Sequence, residues 1–557
     1  MPLLMQRLRY LIFLLLCFGA NAGAQTSLSN AAIASAHPLA TAAGKTILDQ
    51  GGNAFDAAVA VAATLAVVEP YSSGLGGGGF FLLHRARDGK QVMLDARERA
   101  PLRATTDMYS EAPQASLAGA RAAAIPGLPA GLAHLAKRYG RLPLKQSLAP
   151  AIGLAQHGFA ADARYRAVAQ MRLTLLQTQP DAAMQFLHHQ AVPGLDTLVV
   201  QANLANTLRA LAQQGAPGFY SGAVAREMVT AVKAAKGIWQ RADLARYRVV
   251  ERAPIIFDYR GLHIVSAAPP SAGGLSLAQA LHILEAYDFR TLSEVQRMHL
   301  VAEALRRAYH DRARYLGDPD FVRMPIRHLT SPGYAAFRAA NIDPANATPS
   351  VHLDPAPEVK QGDHTTHFSI VDRQGNRVAA TLSINTLFGS GFVAGKTGVL
   401  LNNEMDDFAT TEGGTNAYGL AASRANRIAP GKRPLSSMSP TFVEDARGTL
   451  VLGAPGGSRI ISMLLLAILS YQAQSPVDLQ ALVSAPRYHH QYLPDRLEVE
   501  PESFSSTVLD ELQLFGHALK VVDRKWGNMQ AVWISRANGQ AFAASDPRGM
   551  GSGLAWY

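Results

Sequence analysis

The stretch from Ala54 to Val68 constrains the fold more than any other part of the sequence, because almost no charge interrupts it. A helix that is apolar on every face has to be buried on most of its sides. Gly51-Gly52-Asn53 precedes it and divides the Ala-rich stretch from Ala31 to Val68 into two helical runs. We therefore expect the second of these helices to be enclosed by other elements of the fold.

Strand signals follow this helix and recur later in the chain. Asp88-Gly89 is a strong hairpin turn signal, and Gln374-Gly375-Asn376 indicates a second hairpin. The predicted strands are 80–84, 91–95, 366–372, 378–385, 529–535 and 540–545, and the clearest predicted helices are 276–287, 295–316 and 462–473. Residues from about 125 to 330 are mostly helical by pattern. Strands flanked by helical runs predict a layered α+β fold with no boundary between independent domains.

The composition is that of a folded chain. With 557 residues, of which 48% are apolar and 17% are charged, a disordered chain is excluded. The formal net charge of +10 is small for this length, and like charges are not grouped in blocks. The sequence therefore gives no support for a nucleic-acid partner.

The first 24 residues have the pattern of a secretory signal peptide. Arg7 and Arg9 form a basic start, an apolar run from Leu11 to Phe18 follows, and small residues allow cleavage after Ala22 or Ala24. The apolar run is too short to span a bilayer, and no later stretch reaches the length of a membrane helix. We expect an exported protein, periplasmic or secreted, with no stable membrane anchor.

The sequence predicts neither a metal site nor a cofactor. The only cysteine, Cys17, lies in the signal peptide, so the mature chain has no thiolate and no disulfide. His364, His367 and the pair His489-His490 have no carboxylate at metal-ligand spacing. The glycines from Gly74 to Gly79 match G-x-G-x-x-G, but a helix precedes them and a strand follows, the reverse of a dinucleotide site. A tight turn or a close backbone approach explains these glycines better.

The segment around Thr365 carries the chemical signal. A threonine hydroxyl is a poor nucleophile unless a base lies beside it. If the backbone is cut before Thr365, the α-amine of Thr365, with a pKa of about 8, can take the proton from its hydroxyl. The polar linker at 354–362 is the best candidate in the chain for an exposed, cleavable loop. The alternative is an ordinary strand that happens to begin with threonines.

Hairpin geometry and two further segments add candidate residues. A turn near Gln374 brings Ser383 and Asn385 within reach of Thr365. The glycine-rich segment 453–458 precedes a helical run, so its amides form either an oxyanion hole or a simple turn. Arg97 could bind a carboxylate or form an ordinary ion pair.

Nine short motifs, in order along the chain, resemble the γ-glutamyltranspeptidase family over essentially the whole mature sequence. They are His37–Thr41, Gly51–Ala54, Gly74–Phe80, Arg97-Glu98, Thr365–Ser369, Leu401–Phe408, Lys432–Pro440, Pro455–Arg459 and Asp546–Arg548. The resemblance implies an N-terminal-nucleophile hydrolase with a four-layer αββα sandwich. It also implies a precursor that cuts itself between His364 and Thr365 into a large subunit, 25–364, and a small subunit, 365–557, which pair as a heterodimer.

The resemblance also implies roles for individual residues. Thr365 would be the nucleophile, beside the hydroxyl of Ser383, and Gly456 and Gly457 would form the oxyanion hole. The α-carboxylate of the substrate would be bound by Arg97, Ser436 and Ser437. Its α-amino group would be bound by Asn385, Glu404 and Asp407. Ser383 stands where a threonine is expected, which predicts altered rates rather than lost function. Glu404 occupies a position where some members carry glutamine. The segment 409–430, including Tyr418, has the length of the lid found in many bacterial members.

These features predict an exported γ-glutamyltranspeptidase and glutathione hydrolase without a cofactor. It would pass a γ-glutamyl group from glutathione or its conjugates to water or to an amino acid or peptide. One alternative is a β-lactam side-chain acylase of the same fold. Another is an inactive homologue kept as a periplasmic binding protein, which would remain uncut.

Overall fold

The computed structural model describes residues 28–353, 364–409 and 424–557. The predicted signal peptide and the predicted linker, 354–362, lie outside these ranges. Most of the predicted lid, including Tyr418, also lies outside them.

Two antiparallel sheets lie at the centre of the described structure. In spatial order, the larger sheet contains β18 (Ser552–Trp556), β1 (Ala31–Ser35), β9 (Thr365–Val371), β10 (Arg377–Ser383), β2 (Gly78–Arg85), β3 (Lys90–Ala96) and β6 (Val250–Arg252). The smaller contains β17 (Ala541–Ser545), β16 (Gln530–Ser535), β12 (Gly448–Gly453), β11 (Thr441–Glu444), β8 (Leu262–Ser266) and β7 (Ile255–Tyr259). Two minor sheets pair β4 (Phe159–Ala160) with β5 (Leu198–Val199), and β13 (Tyr488–His489) with β14 (Leu497–Val499) and β15 (Leu519–Val521).

Helices cover both outer faces of the two sheets. Those before residue 250 are α1 (Pro38–Asp49), α2 (Ala54–Val68), α3 (Leu128–Arg138), α4 (Leu144–His157), α5 (Ala163–Met171), α6 (Leu173–Gln177), α7 (Pro180–Phe186), α8 (Ala202–Gln214), α9 (Pro217–Tyr220), α10 (Gly222–Ala234) and α11 (Arg241–Ala245). The later ones are α12 (Gly273–Leu284), α13 (Glu294–Tyr315), α14 (Ile326–Leu329), α15 (Pro332–Ala339), α16 (Arg459–Ala473), α17 (Leu479–Ser484) and α18 (Ser506–Leu514).

Side chains that alternate along the strands of the larger sheet separate two hydrophobic cores, one on each of its faces. In β2, Phe81 and Leu83 pack into the core that contains α2, whereas Phe80 and Leu82 pack into the core shared with the smaller sheet. Successive side chains of a strand point to opposite faces, so a sheet that is buried on both faces needs apolar residues at every position. The order helix, sheet, sheet, helix confirms the predicted α+β sandwich.

Helix α2 is enclosed, as its sequence predicts. All of its residues are buried, and the helix packs against β9 and β10. Its N-terminus is fixed by a capping box in which Asn53 accepts from the Asp56 amide and Asp56 accepts from the Asn53 amide. The helix therefore supports the strand that begins at Thr365.

Two parts of the secondary structure differ from the prediction. Residues Ala31–Ser35 form β1 instead of the start of a helix, because the strand pairs with β18 on one edge and β9 on the other. Pairing on both edges outweighs the helix propensity of alanine. The hairpin β7–β8 lies in a region expected to be mostly helical, and its turn is Arg260-Gly261, with φ of 46° and 82°.

The glycine-rich segment after α2 is a close backbone approach, not a cofactor loop. A Cβ on Gly76 would lie 1.9 Å from the carbonyl oxygen of Leu400, and one on Gly77 would lie 2.1 Å from that of Ser383. The glycine-rich segment therefore packs directly against the backbone at Ser383, the end of β10, and at Leu400, with no room for a side chain.

We predict that Gly76→Ala destabilises the protein by more than about 2 kcal/mol, because a backbone carbonyl cannot move aside as a flexible side chain can. Gly153→Ala is the matched control, since nothing lies within 4 Å of the new methyl group in helix α4. That change should be neutral or stabilising by up to about 1 kcal/mol. Thermal denaturation of both variants tests this, and equal midpoints would contradict it.

Candidate active site

Thr365 is the first residue of β9 and lies opposite Ser383, the last residue of β10. This is the register that a turn centred on Gln374 produces. β9 is paired on both edges: β10 pairs along its whole length, including Thr365, and β1 pairs with its second half, from Phe368 to Val371. The adjacent hydroxyl of Thr366 donates to Glu69 at 2.7 Å, which secures the strand from its other face.

The Thr365 hydroxyl meets the glycine pair that precedes α16. The Gly456 amide donates to Thr365 Oγ1 at 3.2 Å. Gly456 and Gly457 have φ of 137° and 57°, which favour glycine and turn this segment toward Thr365. Within the described ranges, the Gly457 amide has no hydrogen-bond acceptor. Two amides at a nucleophile can stabilise the oxyanion of a tetrahedral intermediate.

Ser383 and Asn385 lie beside the bond that joins His364 to Thr365. The Ser383 hydroxyl accepts from the Asn385 amide at 2.7 Å and lies 3.5 Å from the His364 carbonyl oxygen. The Ser383 hydroxyl therefore lies beside the carbonyl group of the His364–Thr365 peptide bond. The side chain of Asn385 donates to the Asn403 carbonyl at 2.9 Å, and its φ of 75° places it in the left-handed region.

Arg97 is the centre of a buried charge cluster and not a surface ion pair. Its side chain is 1% exposed and lies 2.8 Å from Glu404, 2.5 Å from Asp407 and 3.3 Å from Glu98. It also donates to the Pro434 carbonyl at 3.2 Å, which ties it to the segment carrying Ser436 and Ser437. Sequence reasoning missed Glu98 as a third carboxylate, although its position next to Arg97 was the available signal.

Burial and charge oppose each other in this cluster. Burial disfavours the Arg97 cation, but Glu404, Glu98 and Asp407 together raise its pKa. Burial raises the pKa of Glu98 to about 7 and that of Glu404 well above its usual range, while Arg97 lowers both. The guanidinium therefore stays charged, and the carboxyl groups of Glu98 and Glu404 hold protons more strongly than they would in water.

Ser436 and Ser437 are held by backbone contacts. The Ser436 amide donates to the Pro270 carbonyl, and its own carbonyl accepts from the Ala272 amide at 2.8 Å. The Ser436 hydroxyl accepts from the Met438 amide at 3.1 Å. Both serines are thus presented on a fixed wall.

Most of the predicted residues line one narrow cleft of about 20 Å³. Its wall includes His364, Thr365, Ser383, Gly457, Arg97, Asn385, Asp407, Ser436 and Ser437. Glu404 is fully buried and contacts the cleft through Arg97, while Gly456 reaches it through its amide. The structure thus brings together residues from six separate segments of the chain.

The described residues contain no group of three or more His, Cys, Asp or Glu side chains placed to hold a metal ion. His367 is buried between the hydroxyls of Thr381, at 2.8 Å, and Ser369, at 3.2 Å, and burial lowers its pKa to about 3. His489 contacts Ser462, and His490 contacts Asp495. These histidines are hydrogen-bonded parts of the core.

A threonine at the start of a central strand, with a glycine amide at its hydroxyl and two facing sheets behind it, is typical of the N-terminal-nucleophile hydrolase class. The sequence profile described as Gamma-glutamyltranspeptidase matches residues 40–556. The chain is 40% identical over 536 residues to the glutathione hydrolase proenzyme of Escherichia coli (strain K12), covering 94% of this chain and 91% of that protein. The chain therefore belongs to the γ-glutamyltranspeptidase family of enzymes.

Solved structures support the same fold. The cephalosporin acylase of Bacillus halodurans superposes with a TM-score of 0.82 and 27% identity, covering 95% of this chain and 96% of that one. The γ-glutamyltranspeptidase of Helicobacter pylori superposes with a TM-score of 0.56 and 39% identity, covering 58% of this chain and 94% of that one.

We predict that Glu98→Gln stabilises the protein more at pH 8 than at pH 5. The pKa of Glu98 rises from an ordinary 4.5 to about 7 on folding, so the folded state binds its proton more tightly than the unfolded state. The stability that this proton contributes is lost as the pH rises from about 4.5 through 7. Glutamine does not titrate and avoids this loss.

Thermal midpoints measured between pH 5 and pH 8 test this expectation. Glu111→Gln is the control, because Glu111 is an exposed carboxylate. A difference between Glu98→Gln and the wild type that stays constant over this range would contradict the assignment.

Proposed function

We propose that this chain is an exported, periplasmic γ-glutamyltranspeptidase and glutathione hydrolase, made as a proenzyme that cuts itself between His364 and Thr365. The proposed fragments, 25–364 and 365–557, remain paired as a heterodimer. The name of the Escherichia coli relative supports the substrate and the precursor form. The predicted signal peptide supports export, and within the described ranges no helix is long and apolar enough to cross a membrane.

In the proposed self-cleavage, Thr365 Oγ attacks the carbonyl carbon of His364. The C–N bond breaks, an ester forms on Oγ, and the proton of the hydroxyl passes to the freed α-amine. Water then hydrolyses the ester, leaving a carboxylate on His364 and a free N-terminus on Thr365. The Ser383 hydroxyl lies 3.5 Å from the carbonyl that must be polarised, and Gly456 already contacts the attacking oxygen.

In the proposed turnover, the same hydroxyl attacks the γ-amide carbon of the donor. The α-amine of Thr365 takes the hydroxyl proton and passes it to the departing amine. Water or an acceptor amine then attacks the γ-glutamyl ester, and Thr365 Oγ leaves with a proton. The amides of Gly456 and Gly457 carry the negative oxygen of both intermediates.

The pairing of Arg97 with Asp407 at the wall of the cleft carries the proposal. A γ-glutamyl head is a zwitterion, so it needs a cation for its carboxylate and an anion for its ammonium group. Arg97, with the hydroxyls of Ser436 and Ser437, would bind the carboxylate. Asp407 and Asn385 would bind the ammonium group, and Glu404 would keep Arg97 charged and in place.

The likeness to a cephalosporin acylase keeps one other function open for testing. A glutaryl group has a carboxylate but no α-ammonium group, so its carboxylate would compete with Asp407 for Arg97 and the donor would supply no cation to compensate Asp407. An unpaired carboxylate beside bound substrate costs free energy, so the cleft favours γ-glutamyl donors. Hydrolysis of glutathione but not of a glutaryl amide separates the two functions.

We predict that Thr365→Ala yields a full-length, inactive protein, because no other group replaces the attacking oxygen. The wild type should give fragments of about 36 and 21 kDa at the mean residue mass of this chain, the smaller beginning Thr-Thr-His-Phe. Thr366→Ala is the matched control and should still be cut. Denaturing gels and N-terminal sequencing test this, and efficient cleavage of the Thr365 variant would exclude Thr365 as the nucleophile.

We predict that Arg97→Lys is still cut but raises the KM for a γ-glutamyl donor by at least about tenfold, or about 1.4 kcal/mol. Lysine keeps the charge but loses the planar fork that can hold Asp407 and a carboxylate together. Arg99→Lys is the control, because Arg99 donates to the Gly431 carbonyl and forms no ion pair in the described part of the chain. An unchanged KM would remove Arg97 from the substrate site.

A further inference from the structure

Thr365 is also exposed to a second, larger cleft of about 420 Å³. This cleft shares only His364 and Thr365 with the cleft that contains Arg97. An acyl group that is attached to Thr365 and bound by Arg97 would occupy the smaller cleft. The larger cleft would then remain for the group on the nitrogen side of the amide. The leaving group of the first step and the acceptor of the second step both occupy that side.

Six cationic and two acidic side chains line the larger cleft, so its wall carries an excess of positive charge; the acidic residues are Glu69 and Asp523. Arg459 is paired with Glu498 at 2.7 Å, and Arg548 is paired with Glu500 at 2.6 Å. Four more cations line the same wall: Arg164, Lys520, Arg524 and Lys525. Throughout 28–353, 364–409 and 424–557, the side chains of these four form no ion pair or hydrogen bond.

The loop that carries Arg524 and Lys525 is anchored at both ends. Before it, β15 pairs with β14. After it, the Trp526 amide donates to Glu500 at 3.0 Å, and the Trp526 ring stacks under Arg459 at 4.9 Å. Arg164 comes from a different element, the first turn of α5, whose N-cap Asp162 accepts from the Tyr165 amide at 2.7 Å. The cations are therefore presented from two firmly held elements.

The positive field extends to the reaction centre. Burial and the charges of Arg164 and Arg524 lower the pKa of His364, the residue next to the nucleophile. The same field would favour the neutral, nucleophilic form of an acceptor amine, because nearby cations disfavour an ammonium group.

We infer that Arg164 and Arg524 are specificity-determining residues of this larger cleft, which favour leaving groups and acceptors that carry a carboxylate over those that lack one. Guanidinium groups bind carboxylates through charge-assisted, bidentate hydrogen bonds. This inference rests on the proposed function, because it concerns the nitrogen side of the same reaction.

Two chromogenic donors that differ by one carboxylate test the inference: γ-glutamyl-4-nitroanilide and γ-glutamyl-3-carboxy-4-nitroanilide. In the double variant Arg164→Glu/Arg524→Glu, the KM for the carboxylated donor should rise about five- to tenfold more than the KM for the neutral donor. Added salt should reduce the wild-type preference for the carboxylated donor. Arg226→Glu, a charge reversal at an exposed position of α10 outside the cleft, should leave the ratio of the two KM values unchanged.

The outcomes separate this inference from the proposed function. If the wild type hydrolyses both donors but the double variant changes both KM values equally, the cleft assignment is overturned and the γ-glutamyl activity stands. If the wild type hydrolyses neither donor while remaining folded, both are overturned. Transfer to glycylglycine and to its C-terminal amide gives a second readout, and the double variant should reduce transfer to the free carboxylate selectively.

Discussion

The pairing of β9 on both edges is the constraint on which the rest of the site depends. β1 lies on one side of β9 and pairs with Phe368 to Val371, and β10 lies on the other side and pairs along the whole strand, so most of β9 is held by bonds remote from the peptide bond to His364. Strands from before and after residue 364 are also neighbours in the larger sheet, because the β9–β10 pair lies between β1 and β2. A cut before Thr365 would leave these ladders and both cores intact. The same arrangement that fixes the nucleophile would thus keep the two proposed fragments together.

The local part of this arrangement can be predicted from sequence. The turn at 374–376 sets the register between Thr365 and Ser383, since pairing in a hairpin follows from the position of its turn. The near-absence of charge in α2, where Asp56 in the first turn is the one charged residue, predicts its burial, and the order of helix and strand around the glycines excludes a dinucleotide loop. Each of these inferences depends on neighbouring residues, for which periodicity and turn chemistry are informative.

The long-range part could not be predicted in the same way. Arg97 and Asp407 are 310 positions apart, and the resemblance supplied their roles but not their direct contact or the participation of Glu98. The strand at Ala31–Ser35 forms because two partners from the C-terminal part of the chain flank it. The hairpin β7–β8 had a local signal in Arg260-Gly261 between two apolar runs, which a stricter search for hairpin turns would have found.

The two clefts at Thr365 meet opposite electrostatic requirements. In the smaller cleft the charges are buried and compensate one another, so a ligand must supply both a carboxylate and an ammonium group to avoid leaving a charge unpaired. In the larger cleft the cations of the loop at 520–525 are exposed and remain solvated, so an anion of variable shape can bind with little desolvation cost. Selection of the donor would therefore depend on geometry and resist salt, because buried pairs are weakly screened. Selection of the acceptor would depend on charge and tolerate many side chains. This division of labour between the two clefts would suit an acyl-transfer enzyme that accepts one acyl group and many amines.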